Sequence, residues 1–408
     1  MSSGFARRSL TSLAGIVLAL VFGGQTSAQN RTLLAAEATN TGWRVVSVDA
    51  LSLASADGHS ISLGSSFATT WAWSPTSQRI AVGNGAGVAV IGVGPFRLVR
   101  EIRTGVTPEH LEWLTQHVLV AVTASQLTAL DPASGHVLWR RTLPSSFAAV
   151  ARWRSELLFV LEPAASTYGT ATFATVNTQG ELREVALDQI HAGEPESGSS
   201  DQQGADPGLA VDPEGVAYIV GGGDPVARID LRTLAASYSP TRQLALALHG
   251  ETGPSRVAAW VGDGLLAISG VDEQLTDNNG TTTDTLRPVG MFFINTRTWT
   301  TRLVDPTASA ITATGGDVLA YGAPINTVDS RPVLPTHGHG VAAYDASGTV
   351  RYRALAGQPL NSIATDDGYA YLTLGHNQTA ILRLQNGRRI ATAHTAMTTI
   401  LLTNPPED

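Results

Sequence analysis

His337 and His339 are the residues whose type and spacing come nearest to a ligand set in this sequence. Two positions apart in an extended chain, both imidazoles point to the same side and can share a divalent metal. A closed site needs more ligands than two. Asp329 and Arg331 precede the histidines in the same stretch, and Asp277, Asn278, Asn279 and Asp284 crowd an earlier one, VDEQLTDNNGTTTDT. That earlier stretch offers the oxygen ligands calcium prefers but not their order: with Gly280 at the sixth position of a calcium loop, Leu275 falls where the first carboxylate belongs. An Asx-rich turn is its plainer reading. The chemistry on offer is polar recognition of a ligand or binding of a divalent metal, with no catalytic residue assigned.

Other chemistries are excluded by residue type. The chain has no cysteine, which removes disulfides, thiolate catalysis, iron–sulfur clusters, cysteine-ligated zinc, covalent haem attachment and an N-terminal lipid anchor. Its 26 basic residues are all arginine, so no lysine Schiff base can form. Nucleophile elbows, phosphate loops and zinc-protease helices are not found. Gly221–Pro225 is glycine-rich but lies between two strands, with no helix N-terminus to face a phosphate, and reads as a connecting turn. Asp366 and Asp367 also sit in a turn, with neighbouring side chains on opposite sides.

Residues 1–28 read as a secretory signal peptide: Arg7 and Arg8, an apolar run from Leu13 to Phe22, and Thr26-Ser27-Ala28 as a small-residue cleavage site. The run is shorter than the roughly 20 apolar residues of a transmembrane helix. The arginine pair matches a twin-arginine signal only in part, so general secretion is expected. Without Arg7 and Arg8, 24 arginines face 34 acids, a net charge near −10. Nucleic acid and anionic lipid are therefore not expected as partners. Asn30, Asn279 and Asn377 open glycosylation sequons.

The elements that must position these residues are strands. The composition, 43% hydrophobic and 15% charged with 41 glycines, favours an all-β chain with a sizeable core. Segments 66–103, 108–143, 147–187, 208–240, 255–304, 309–354 and 359–394 each contain about four short apolar strands, and Trp73, Trp113 and Trp153 lie 40 residues apart. Four strands per unit at a period near 40 is the signature of a β-propeller. The tryptophans are read as packing between blades. Residues 29–41 are read as a flexible lead-in, 42–403 as one propeller domain and 404–408 as a tail. Strands between 42 and 64 together with TTILLTN near the C-terminus complete an eighth blade by three-plus-one closure; seven blades is the alternative.

In the stretch LTALDPASGHVLW, Ala129, Asp131, Gly135 and Trp139 follow one another at spacings of two, four and four. This pattern resembles the repeat of the pyrroloquinoline-quinone-type propellers, and VAAYDASGTVRY and FATVNTQGELRE retain it without the tryptophan. The resemblance implies the architecture and no activity. Quinoprotein alcohol dehydrogenases of that superfamily carry adjacent cysteines and are longer, so a quinone cofactor is not expected. Its outer-membrane assembly lipoproteins need a lipidated cysteine, also missing.

One module joins its second and third strands through Ala124 and Ser125 alone. Elsewhere the equivalent connections run 9 residues at 162–170, 19 at 271–289 and 17 at 323–339, and the link between modules at 188–207 runs 20. Strand alternation brings all four to one face of the ring. The expected function is an exported, monomeric, non-catalytic propeller that binds a protein or glycan through this face, with Asp277, Asn278, Asn279, Asp284, Asp329, Arg331, His337 and His339 as candidate contacts. The alternative is an exported hydrolase, lyase or lactonase using a divalent metal held near His337 and His339.

Overall fold

The computed structural model describes residues 32–85, 87–163, 168–193, 205–242, 253–278, 281–322, 326–328, 331–333, 340–358, 360–366, 368–374, 378–394 and 398–401. The expected signal peptide and C-terminal tail lie outside them. Within them every regular element is a strand.

The first three strands, β1 (Thr32–Thr39), β2 (Gly42–Asp49) and β3 (Ser55–Gly64), belong to blade one. Blade two holds β4 to β7, at Phe67–Trp73, Arg79–Asn84, Gly87–Val93 and Phe96–Arg103. Blade three holds β8 to β11, at His110–Thr115, Val118–Thr123, Gln126–Leu130 and Val137–Thr142. Blade four holds β12 to β15, at Phe147–Trp153, Glu156–Leu161, Gly169–Val176 and Leu182–Ala192. Blade five holds β16 to β19, at Gly208–Val211, Val216–Val220, Pro225–Asp230 and Ala235–Arg242. Blade six is built on β20 (Gly253–Gly262), β21 (Leu265–Asn278), β23 (Met291–Asn295) and β24 (Thr301–Asp305), with β22 (Thr281–Pro288) inserted. Blade seven holds β25 (Ala310–Thr314), β26 (Asp317–Tyr321), β29 (Val341–Tyr344) and β30 (Val350–Ala354), with β27 (Asn326–Val328) and β28 (Arg331–Val333) inserted. Blade eight holds β31 to β34, at Leu360–Asp366, Tyr369–Leu374, Gln378–Arg383 and Arg389–His394. The last strand, β35 (Thr398–Leu401), pairs with β1, so blade one reads β3-β2-β1-β35. The ring has eight blades and closes three-plus-one, which leaves no open seam between its ends.

The segment read as a lead-in forms β1 instead. Thr32 to Thr39 pair without interruption against Asp49 to Gly42, and Leu33 and Ala35 enter one seam while Leu34 and Ala36 enter the other. LSLASADG and HSISLG, read as two strands, supply a turn and the single strand β3. Small alanines and flanking threonines hid a strand that both blade faces bury.

Alternation within each strand explains the core. In β9, Leu119 and Ala121 point toward blade two, and Val120 and Val122 toward blade four. Repeated around the ring, this produces eight apolar clusters among the described residues, one at each seam. The tryptophans belong to these seams. Trp113 is fully buried and its indole N–H donates to the carbonyl of Ala72 on blade two at 3.0 Å. Trp73 donates to the carbonyl of Leu401 at 3.2 Å and so ties the last strand to blade two.

The turns between third and fourth strands close the outer seams in two ways. In blade three Asp131 accepts the N–H of Ala133 and the hydroxyl of Ser134, and the chain reverses through Gly135 at φ 79°. Gly180, Gly348 and Gly387 occupy the corresponding place in blades four, seven and eight, and on them lie Trp139, Arg302 and Tyr352 from the outer strand of the preceding blade. In blades one, five and six the left-handed position holds Leu53, Leu234 and Trp299, at φ 54°, 57° and 59°. These side chains reach back into the seam with the preceding blade. One gap is thus filled from either side.

Candidate functional site

Within a blade the chain runs down the inner strand, up the second, down the third and up the outermost. Connections between second and third strands therefore share a face with those between blades. On that face β21 continues past the blade and returns as β22, pairing from Val271↔Pro288 to Asn278↔Thr281. The 271–289 insertion is thus a hairpin continuous with blade six. The 323–339 insertion comes from blade seven, yet its strand β27 adds to β22 through Thr283↔Val328, Asp284↔Thr327 and Thr285↔Asn326, and β28 pairs beyond it. Two insertions from different blades build one sheet extension, β21-β22-β27-β28.

This extension carries four of the candidate residues expected from sequence. Asp277 and Asn278 lie at the end of β21, with Asp277 opposite Thr282. Asp284 lies in β22 between Leu275 and Thr327, and Arg331 opens β28 opposite Val328. Asn279, Asp329, His337 and His339 lie outside the described residues. Among the described residues no group of three or more His, Cys, Asp or Glu is placed to hold a metal ion.

A second polar constellation lies on the same face across blades four to six, and the sequence reading missed it. Asp224, just before β18, receives the main-chain N–H of His191 on one carboxylate oxygen at 3.0 Å and bonds Nδ1 of the His191 ring through the other at 3.1 Å. The second bond places the proton of the neutral imidazole on Nδ1 and leaves Nε2 as an acceptor. His191 stacks on Tyr168 with ring centroids 5.3 Å apart and planes 9° from parallel. Gly221 makes room for this grip, since a Cβ there would lie 2.5 Å from Asp224 Oδ2. The glycine run read as a plain turn thus seats a carboxylate against the neighbouring blade; a glycine three residues before an aspartate was the available signal.

Two more carboxyls belong to connections on the same face. Glu162 follows β13, and Asp206 leads into β16, its carbonyl accepting the N–H of Arg256 at 2.8 Å. Burial raises the carboxyl of Glu162 above its ordinary range, and the nearby charge of Asp206 raises it further. Asp206 is open to water on one side but walled by protein on others, and loss of hydration raises its carboxyl too. Behind them Arg256 and Asp272 form an ion pair at 2.8 Å with both side chains fully buried. Arg256 Nη1 also donates to the carbonyls of Ser255 and Val271. Burial pulls its proton affinity down, and Asp272 opposes that shift.

No protein-family profile matches the chain, and no curated protein sequence matches it. Solved structures do. A dihydro-heme d1 dehydrogenase, NirN, is similar at a TM-score of 0.57 and 10% identity over 92% of this chain and 76% of its own. Apo AztD from Citrobacter koseri is similar at 0.53 and 12% identity, over 89% of this chain and 95% of its own. The quinohemoprotein alcohol dehydrogenase from Comamonas testosteroni reaches 0.51 and 10% identity over 78% and 66%. At such identities the likeness is one of fold, and it agrees with the propeller architecture that the repeat pattern resembles.

Proposed function

We propose that this chain is an exported, non-catalytic β-propeller that binds a protein or glycan partner through the face carrying the long insertions. The observation behind this reading is the pairing of β22 with β27. Insertions merely tolerated on a surface have no reason to assemble with each other, whereas these two extend a blade into a shared sheet. Pro332 at the centre of the outermost strand, β28, has no N–H to give a further strand, so this edge is blunted against indiscriminate pairing. A partner then meets the faces of the extension and the polar constellation beside it. Export rests on the signal-like residues 1–28.

The test replaces 274–285, between the paired Glu273 and Leu286, and 323–339 by the two-residue connection Ala124-Ser125 of blade three, which keeps Asp272 against Arg256. The shortened chain is expected to unfold at the urea concentration of the parent, while proteins cross-linked on the producing cell and signals on a glycan array are lost. An unchanged set of captured partners would sink the reading. Sequencing the N-terminus of secreted protein tests export, with Gln29 expected as its first residue.

A further inference from the structure

The four insertions differ from the rest of the chain in charge. Segments 162–170, 188–207, 271–289 and 323–339 contain eleven acids and two arginines, a net charge of −9, against −8 for the whole chain. The other segments together are close to neutral, so the excess of acids lies in these connections of the sequence. Connections with such an excess of acids favour cationic partners over anionic ones.

On the face that carries these connections stands a constellation with an acceptor and an exposed aromatic ring. Tyr168 keeps 36% of its surface exposed and the His191 side chain 37%, while Asp224, which fixes them, keeps 10%. The anchoring carboxylate is thus largely withdrawn from solvent, and the two stacked rings are presented. Imidazole Nε2 accepts, and Glu162 and Asp206 belong to connections on the same face. Arg256 is fully buried against Asp272 and offers no charge to a ligand. An aromatic face next to an imidazole acceptor, in a chain whose long connections are acidic, suits a guanidinium or ammonium group, which the ring's quadrupole attracts.

We propose that Tyr168 and His191, held by Asp224, are the docking point for a basic segment of a partner protein, whose cationic side chain lies on the Tyr168 ring and donates to His191 Nε2. This rests on the binding-face reading and narrows its partner to an arginine- or lysine-rich polypeptide. Rigid rings fixed across the seam of blades four and five lose little freedom on binding, so the contact is pre-organised.

Fluorescein-labelled nona-arginine and nona-serine peptides serve as probes in anisotropy titrations with the full mature chain. Nona-arginine is expected to bind and nona-serine not to. Tyr168→Ala, which leaves the net charge unchanged, is expected to weaken nona-arginine about tenfold, and Tyr168→Phe to restore it. His191→Ala is expected to weaken it similarly while still unfolding in one cooperative urea transition, at a somewhat lower midpoint because Asp224 loses a partner. Equal binding of both peptides, or no binding of nona-arginine, overturns the proposal. Binding that ignores Tyr168→Ala and His191→Ala overturns it in favour of diffuse charge attraction. If nona-arginine fails while replacing 274–285 and 323–339 still abolishes partner capture, the binding face stands and the basic segment falls.

Discussion

The indole N–H of Trp139 on blade three donates to the carbonyl of Thr178 on blade four at 2.8 Å, and the ring lies flat over Gly180. A hairpin that looked like a cofactor-family fingerprint is a fastener between blades. A Cβ on Gly180 would come within 2.8 Å of the ring at a backbone φ of 78°. Gly180→Val is expected to cost about 2–4 kcal/mol, from overpacking plus a left-handed β-branched residue. Trp139→Phe keeps most of the packing and loses one hydrogen bond, costing about 1 kcal/mol. Urea unfolding checks the order; a Phe variant weaker than the Val variant would contradict it.

Trp299 and Ser77 both adopt left-handed backbone, at φ 59° and 54°, but for different returns. Trp299 fills the seam of blades five and six, alongside the Tyr218–Trp260 stack, whereas Ser77 is exposed. Ser77→Gly relieves strain and is expected to stabilise by about 0.5 kcal/mol after the entropy of the added glycine. Trp299→Gly relieves the same strain yet is expected to destabilise by about 2 kcal/mol through lost packing. Thermal melts of the two variants should move in opposite directions.

Arg256 and Asp272 are dry on both sides of their ion pair. Arg256→Met leaves a buried carboxylate without its counter-charge and is expected to cost about 3–5 kcal/mol. Adding Asp272→Leu should recover most of that loss, because the remaining residues are then apolar. A double-mutant cycle in urea measures the coupling; a double variant no better than the single one would show that the pair does more than neutralise itself.

Glu162 and Asp206 set a pH dependence whose sign follows from their raised carboxyls. The ordinary values are 4.5 and 3.8, and burial lifts both in the folded chain. Between the ordinary values and the raised ones the native state holds protons that the unfolded chain has released, so these groups make stability fall as pH rises through that interval. Asp206→Asn removes its own contribution and part of that of Glu162, whose carboxyl Asp206 pushes up. Urea midpoints from about pH 4 to about pH 7 should show a smaller acid-side advantage in the variant than in the parent. Identical pH profiles would count against the arrangement.

The ring is legible in the order of residues: repeated four-strand modules, the turn chemistry of Asp131 and Gly135, seam tryptophans forty residues apart, and closure through the C-terminal strand. These signals are local or periodic, so one chain read in order displays them. The order of residues also shows which connections are long, by comparison with Ala124-Ser125. It does not reveal β1, since leucines and alanines buried on alternating faces between threonines look like a loose leader. Folding of the ring is what joins the insertions of blades six and seven through Asp284↔Thr327 and lets Asp224 reach back 33 residues to fix His191. Neither contact has a period or a neighbouring partner to announce it. Both arise where a closed ring brings successive blades side by side, and that proximity is absent from the order of residues.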